Sequence, residues 1–287
     1  MPLATLRAEA DNLARQLPAA LLSADAADIV HPGAAGRRRA GSGEDFWQYR
    51  RYAQTDAADQ IDWRRSARGD EYFVRETELE TARSVLFWAD PLAGFDWSGH
   101  GDRKTKAAHA KIIMLALATL LGKAGERIGI LGGHRGPSVG KSAASRLGED
   151  LLARPTRELS APKTRAIAVL ASDFYEGVET WTARIARLTT TCDRGVLFVV
   201  TDPVEHEFPF QGRTRLHLPG TATSRLLGRA EAARDIYLSK LDDHARDLDQ
   251  LTGQTGWAVV RWRTDMPPLR GAAALLRAVE QFGARTT

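Results

Sequence analysis

From Ser84 onward the chain alternates short, unbroken apolar runs with longer runs that repeat at helical spacing, and few folds accommodate that order. The runs Val85–Ala89, Arg127–Leu131, Ala166–Ala171, Val196–Thr201 and Trp257–Trp262 read as strands. Lys104–Lys123, Ser142–Ala153, Val178–Thr190, Ser224–Leu251 and Leu269–Phe282 read as helices. A strand buried on both faces shows no polar alternation, so these runs predict a mainly parallel sheet covered on two sides by helices. Thr214–Leu218, between Gly212 and Pro219, reads as an extra edge strand.

Before Ser84 the pattern changes. A helical stretch, Leu3–Leu22, is followed by a Gly- and Arg-rich segment containing Arg37-Arg38-Arg39, which reads as a solvated turn. Then come Arg51-Tyr52, Asp56, Ile61-Asp62-Trp63 and Ser66-Ala67-Arg68. Charged and aromatic groups at this density are costly to desolvate unless they pair with each other. A pairing of Asp62 with Arg68 or Arg51, with Trp63 packed inside, makes the segment an internal staple. Left unpaired, the same aromatics and arginines make a recognition surface. The expected division is residues 1–80 as an N-terminal helix and aromatic–charged extension, and residues 81–287 as the α/β domain.

Forty basic and thirty-six acidic residues give a net charge of only +4, too small an excess for a specific nucleic-acid protein. The single cysteine, Cys192, rules out an intramolecular disulfide and fits a reducing compartment. The most apolar window, Ile112–Leu121, is far shorter than the ~20 residues of a bilayer span and reads as a buried helix. No membrane insertion and a cytoplasmic location are therefore expected.

Three expected strands end in aspartate: Asp90, Asp173 and Asp202. The carboxyl ends of parallel strands line the ligand crevice of an open α/β sheet, where clustered carboxylates can hold a divalent cation. Strand-end aspartates also cap turns and helices, and both roles stay open for these three.

The ordered set Arg51-Tyr52, Asp56, Ile61-Asp62-Trp63, Ala67-Arg68, Glu80 and Asp90 resembles the bacterial domain-of-unknown-function family fifty-eight. Ser172-Asp173-Phe174, Asp202-Pro203, Glu205, Phe208-Pro209 and Gly212-Arg213 continue the resemblance. It implies a von Willebrand factor A-like three-layer sandwich with an N-terminal extension. It also implies a non-enzymatic adaptor or chaperone-like role beside a MoxR-type AAA+ ATPase and a client protein. Domains of the A type bind Mg²⁺ through Asp-x-Ser-x-Ser, a distant threonine and a further aspartate. Here the run is Asp90-Pro91-Leu92-Ala93-Gly94, with Leu92 and Gly94 at the hydroxyl positions. Mg²⁺ takes near-octahedral oxygen ligands, so the expectation is a degenerate site with no cofactor, or at most a weak Mg²⁺ at Asp90 and Asp173. The partner-binding face is then expected along Asp90, Leu92, Gly94, Phe95, Asp96 and Trp97 with Ser172 and Asp173, with Phe95 and Trp97 as exposed aromatics.

Two other chemistries compete. Gly132 to Ser142 joins a strand to a helix and contains Gly136 and Gly140-Lys141-Ser142, close to a phosphate-binding loop. The first glycine of that motif falls on Arg135, and Pro137 removes an amide, so a plain glycine-rich connection is the expectation and a nucleotide-binding ATPase the alternative. A hydrolase built from His134, His109, Ser138 and Asp90 ranks third, since no nucleophile elbow or paired-histidine motif accompanies them.

Overall fold

The computed structural model describes residues 1–21, 30–31, 40–52, 63–66, 71–78, 83–153, 158–192, 194–217 and 221–284. The chain forms two compact units, residues 1–34 with 83–281, and residues 35–82 with 282–287. The boundary thus differs from a division at residue 80, because the first helix belongs to the α/β unit.

In the larger unit the described strands are β1 (Val30–His31), β4 (Ser84–Ala89), β5 (Arg127–Ile130), β6 (Ile167–Ser172), β7 (Arg194–Thr201) and β10 (Ala258–Arg263). They form one sheet in the order β1-β10-β7-β6-β4-β5. Five strands are parallel, and the short β1 pairs antiparallel with β10 at one edge. Every residue of β4 and β6 is buried, the physical meaning of their unbroken apolar character. On one face Leu86, Trp88, Leu170, Leu197 and Val259 meet α5 (Val178–Leu188) and α7 (Arg234–Thr255) through Trp181, Ile185, Leu248 and Leu251. The other face carries α3 (Lys106–Lys123) and α8 (Pro268–Ala284), with Gly271 packed so closely that a Cβ there would stand 2.7 Å from the Trp262 ring. The mixed α/β, mainly parallel three-layer sandwich is the one the apolar alternation and the von Willebrand A-like resemblance imply.

Helix α3 is apolar nearly all round, which a helix tolerates only when both sides are covered. The second cover is α1 (Leu3–Leu21), whose Leu6, Ala10, Leu13, Ala14 and Leu17 are buried at helical spacing. Arg7 donates to the Ser145 carbonyl on α4 (Lys141–Leu152) at 3.2 Å, and Glu9 pairs with Lys104 at 3.2 Å.

Two expectations for this unit are corrected. Thr214–His217 (β8) is not an edge strand of the main sheet; it pairs antiparallel with β9 (Ser224–Leu227) in a separate hairpin. Ser224–Leu227 is accordingly strand, and the long helix begins only at Arg234. A nearby pairing partner, matched residue for residue from Thr214↔Leu227 to His217↔Ser224, overrides the helical spacing.

In the smaller unit, β2 (Ala40–Arg51) and β3 (Phe73–Glu78) form an antiparallel pair flanking the short α2 (Trp63–Ser66). Trp63 is 61% exposed and meets Tyr72 edge-on at 6.0 Å, so it is not an internal staple. Arg51 pairs with Glu71 at 2.9 Å, and Tyr52 donates its backbone N–H to Tyr72. Asp56, Asp62, Ala67 and Arg68 lie outside the described residues, and with them the expected Asp62 pairing.

The Trp181 ring lies tilted against Phe174 at 4.5 Å and meets Trp88 edge-on at 5.9 Å, while its indole N–H is buried without a partner among the described residues. Trp181→Ala is expected to cost about 3–5 kcal/mol in urea denaturation. Trp181→Phe should cost much less, because it removes an unsatisfied donor along with the lost area; equal losses would mean the indole N–H is well bonded. On the other face His109 lies 5.2 Å from Trp262. Burial, followed by the nearby Lys104 charge, lowers its pKa from 6.5 to about 4. Between those values the unfolded chain binds a proton that the folded one does not, so stability falls as pH drops through the window. Relative to His109→Gln, the wild type should lose roughly 2–3 kcal/mol between pH 7 and pH 4; parallel stability curves would refute the buried neutral imidazole.

Candidate functional site

The strand order reverses between β5-β4 and β6-β7-β10, which opens the crevice of an open α/β sheet at the carboxyl ends of β4 and β6. Asp90, Ser172 and Asp173 stand there, all buried. Each of the three strand-end aspartates uses one oxygen to cap its own turn. Leu92, Tyr175 and Val204 donate backbone N–H groups to Asp90, Asp173 and Asp202 at 2.9, 3.2 and 3.0 Å. The second oxygen of each reaches another element. Asp90 accepts the Ser172 hydroxyl at 2.5 Å, Asp202 accepts Thr264 at 3.1 Å, and Asp173 accepts Lys106 at 2.8 Å. The capping role the sequence left open is thus filled by all three, and the oxygens that could have turned to a cation are bonded to Ser172, Thr264 and Lys106.

Lys106 is the centre of the site and was not singled out from the sequence. Its side chain is 1% exposed, and its ammonium bonds Asp173 at 2.8 Å and Glu205 at 2.6 Å. The rings of Tyr175 and Trp97 lie 5.4 and 5.7 Å from the same nitrogen, so two carboxylates and two aromatic faces enclose one cation. Glu205 belongs to α6 (Pro203–Glu207), where a capping box with Asp202 fixes it: Asp202 donates its backbone N–H to Glu205 at 2.8 Å. Lys106 is fixed in turn by Thr105, the N-cap of α3, whose hydroxyl also donates to Asp96 at 2.7 Å. The signal for it was present. A basic residue in the first helical turn opposes the helix dipole, and this one shares a buried face with Ala110, Ile113 and Leu117.

Burial raises the pKa of Asp90, opposed by the Ser172 hydroxyl, and raises that of Glu205, opposed by Lys106. Burial also pushes the Tyr175 phenol up, reinforced by Glu205. Phe174 sits at φ 62°, a left-handed conformation uncommon for a bulky residue. Its backbone N–H donates to the Ser172 hydroxyl at 2.9 Å and its ring is fully buried, so the strand end is bent between two fixed groups.

The expected aromatic loop is corrected in part. Phe95 is fully buried, because residues 92–97 fold back onto the start of α3 through Phe95 N–H to Leu92 and Ala107 N–H to Phe95. Trp97 is half-buried over Lys106, Asp96 is exposed, and Leu92 and Gly94 are half-buried. The donor set does not fit Mg²⁺. Asp173 and Glu205 already hold an ammonium, Asp90 is occupied by Ser172 and Leu92, and Leu92 and Gly94 bring no side-chain oxygen.

Three amides of the glycine-rich loop are bonded within the chain. Ser138 exchanges both backbone hydrogen bonds with Ile128, Gly133 donates to Ile130 and Ala143 to Gly140, so these amides are not aimed at a ligand. Gly140 turns at φ 81° into α4, which Lys141 and Ser142 begin, and a Cβ on Gly136 would meet open space. The hydrolase residues are dispersed: His109 packs on Trp262, Ser138 bridges Ile128, His134 is exposed and Asp90 bonds Ser172.

With the sheet, the aspartates and Glu205 in place, comparison with family models matches residues 48–247 to the protein of unknown function DUF58. The chain belongs to the DUF58 family. Comparison with curated proteins finds no match, and comparison with solved structures finds none either. The match takes in the Lys106 cluster of this DUF58 chain but ends before β10 and α8.

Lys106→Ala should destabilise the fold by about 3–5 kcal/mol, because it leaves Asp173 and Glu205 buried without their cation. Millimolar Mg²⁺ or Mn²⁺ should restore part of the lost melting temperature in this variant and leave the wild type unmoved. A wild-type shift with Mg²⁺, or a variant as stable as the wild type, would overturn the assignment.

Proposed function

We infer that this DUF58 protein is a non-enzymatic interaction module: an adaptor or chaperone-like assembly factor acting with a MoxR-type AAA+ ATPase on a client protein, in the cytoplasm. The observation that carries the reading is the Lys106 cluster, which holds the crevice edge together with a cation built into the chain. A fixed centre whose ammonium is fully engaged by two carboxylates serves recognition better than turnover. None of its groups is left as a free nucleophile, and the ammonium that would polarise a substrate is already shared by two carboxylates. Trp97 and Tyr175, which frame it, are residue types that dominate binding hot spots. The absence of any membrane-length apolar helix among the described residues fits the same reading. The bonded amides of Gly133, Ser138 and Ala143 count against the nucleotide alternative.

Affinity capture of the tagged chain from its own lysate, with and without ATP, read by mass spectrometry, tests the proposal. An AAA+ ATPase should be enriched together with a third protein, and Trp97→Ala should lose both while keeping a cooperative melt. Capture unchanged by Trp97→Ala would move the partner face elsewhere. A melting shift of the pure wild type with Mg-ATP would favour the ATPase instead.

A further inference from the structure

The hairpin of β8 and β9 connects α6, which supplies Glu205 to the buried cluster, with α7. Its root is fixed. The Gly212 carbonyl accepts the Ala230 N–H at 2.9 Å, and Gly212 donates its own N–H to the Glu231 carboxylate at 2.7 Å. Just before it in the chain, Phe208 packs against Phe210 and, on α7, against Tyr237, with ring centres 5.2 and 5.0 Å apart.

Between Gly212 and Ala230 the chain carries Arg213, Arg215, Arg225 and Arg229 and no aspartate or glutamate. These four charges equal the formal excess of the whole protein, so the remaining residues balance to zero. A net charge that is small for the chain is thus large for one ribbon. All four arginines are exposed, and Arg213, Arg215 and Arg225 make no ion pair among the described residues. Arg184, Arg261 and Arg263 in the body of the α/β unit are each held by a carboxylate. Like charges gathered on a small element repel one another, a cost that an acidic partner removes.

The register sorts the side chains. Arg215 stands opposite Leu226 and His217 opposite Ser224, so these four share one face, and all are exposed. Thr214, Leu216 and Leu227 on the other face are half-buried. The outer face therefore sets an exposed leucine among guanidiniums. β8 and β9 pair only with each other among the described strands, which leaves each with an open edge that an extended chain can join.

The composition selects among polyanions. From Gly212 to Ala230 there is no Phe, Tyr or Trp ring to stack on a base and no asparagine or glutamine to read one. One exposed leucine is little apolar surface for a bilayer, yet it suits a single apolar side chain flanked by carboxylates. We propose that this ribbon docks an extended acidic segment of a partner protein, its carboxylates among Arg213, Arg215 and Arg225 and an apolar side chain against Leu226. The planar guanidinium fork matches a carboxylate bidentately. Assigning the segment to an assembly partner rests on the interaction reading; the charge and register of the ribbon do not.

The test is fluorescence anisotropy of a fluorescein-labelled peptide, in which glutamate pairs flank a leucine, titrated with the full-length chain. Binding should be saturable at low salt and weaken as salt rises. Arg215→Ser together with Arg225→Ser should lower affinity about tenfold while leaving the melting temperature unchanged, since both side chains are exposed. Arg187→Ser together with Lys240→Ser removes the same charge from α5 and α7 and should leave affinity within about twofold. Leu226→Ser should weaken the leucine peptide and not its glycine counterpart. No saturable binding, or equal losses in the two double variants, would overturn the proposal. Oligothymidine or phosphatidylserine vesicles binding more tightly than the peptide, with the same loss in the ribbon variant, would overturn the choice of a protein partner. The titration reads the ribbon alone, so its failure is separable from a failed lysate capture.

Discussion

A lysine ammonium withdrawn from water at the end of a parallel sheet is stable only if its surroundings supply what water did, and much of the architecture here serves that need. Asp173 and Glu205 provide the charge, and Trp97 and Tyr175 provide polarisable faces. They come from three parts of the chain: the bend after β6 carries Asp173 and Tyr175, the short α6 carries Glu205, and the loop after β4 carries Trp97. The cluster therefore ties together segments that would otherwise meet only through the sheet. The supporting features follow from it. The capping box on α6 aims Glu205, and the left-handed Phe174 shapes the strand end that presents Asp173. Gly99 is needed for close approach, since a Cβ there would stand 2.5 Å from Asp202.

A von Willebrand A-type site assembles around a metal that arrives from solution. In this chain the corresponding crevice is assembled around a group that is covalently part of it. Replacing an ion with an ammonium changes the geometry that can be served. Octahedral coordination gives way to a few directed N–H bonds and two ring contacts, so fewer oxygen ligands suffice. Leu92 and Gly94 stand where the Asp-x-Ser-x-Ser run would carry hydroxyls, and the Leu92 carbonyl instead accepts the Phe95 and Asp96 N–H groups that turn the loop.

The strands were legible because burial on both faces removes polar alternation, and β4 and β6 show this without exception. The aspartates were legible because each closes an apolar run. Lys106 was not, since in the run Arg103-Lys104-Thr105-Lys106 it looks like one of several solvated basic residues. Only its place on a face with Ala110, Ile113 and Leu117 marks it as buried, and that face becomes decisive once α1 closes the other side of α3. Phe95 was misjudged for a related reason: sequence shows an aromatic in a polar loop, not the backbone bonds that fold the loop inward. Ser224–Leu227 was misread because a hairpin depends on a partner strand, which helical periodicity does not register.

The residues that identify the family and the residues that fold are different sets. The DUF58 match runs from 48 to 247, yet the sheet needs β10 from Ala258, and α3 needs α1 from Leu3. A fragment excised at the family boundaries would bare one side of an almost wholly apolar helix and leave β7 as an open sheet edge. Both are conditions under which chains associate through exposed strand edges and apolar faces. The recognisable part of this protein is not a piece that can be lifted out of it.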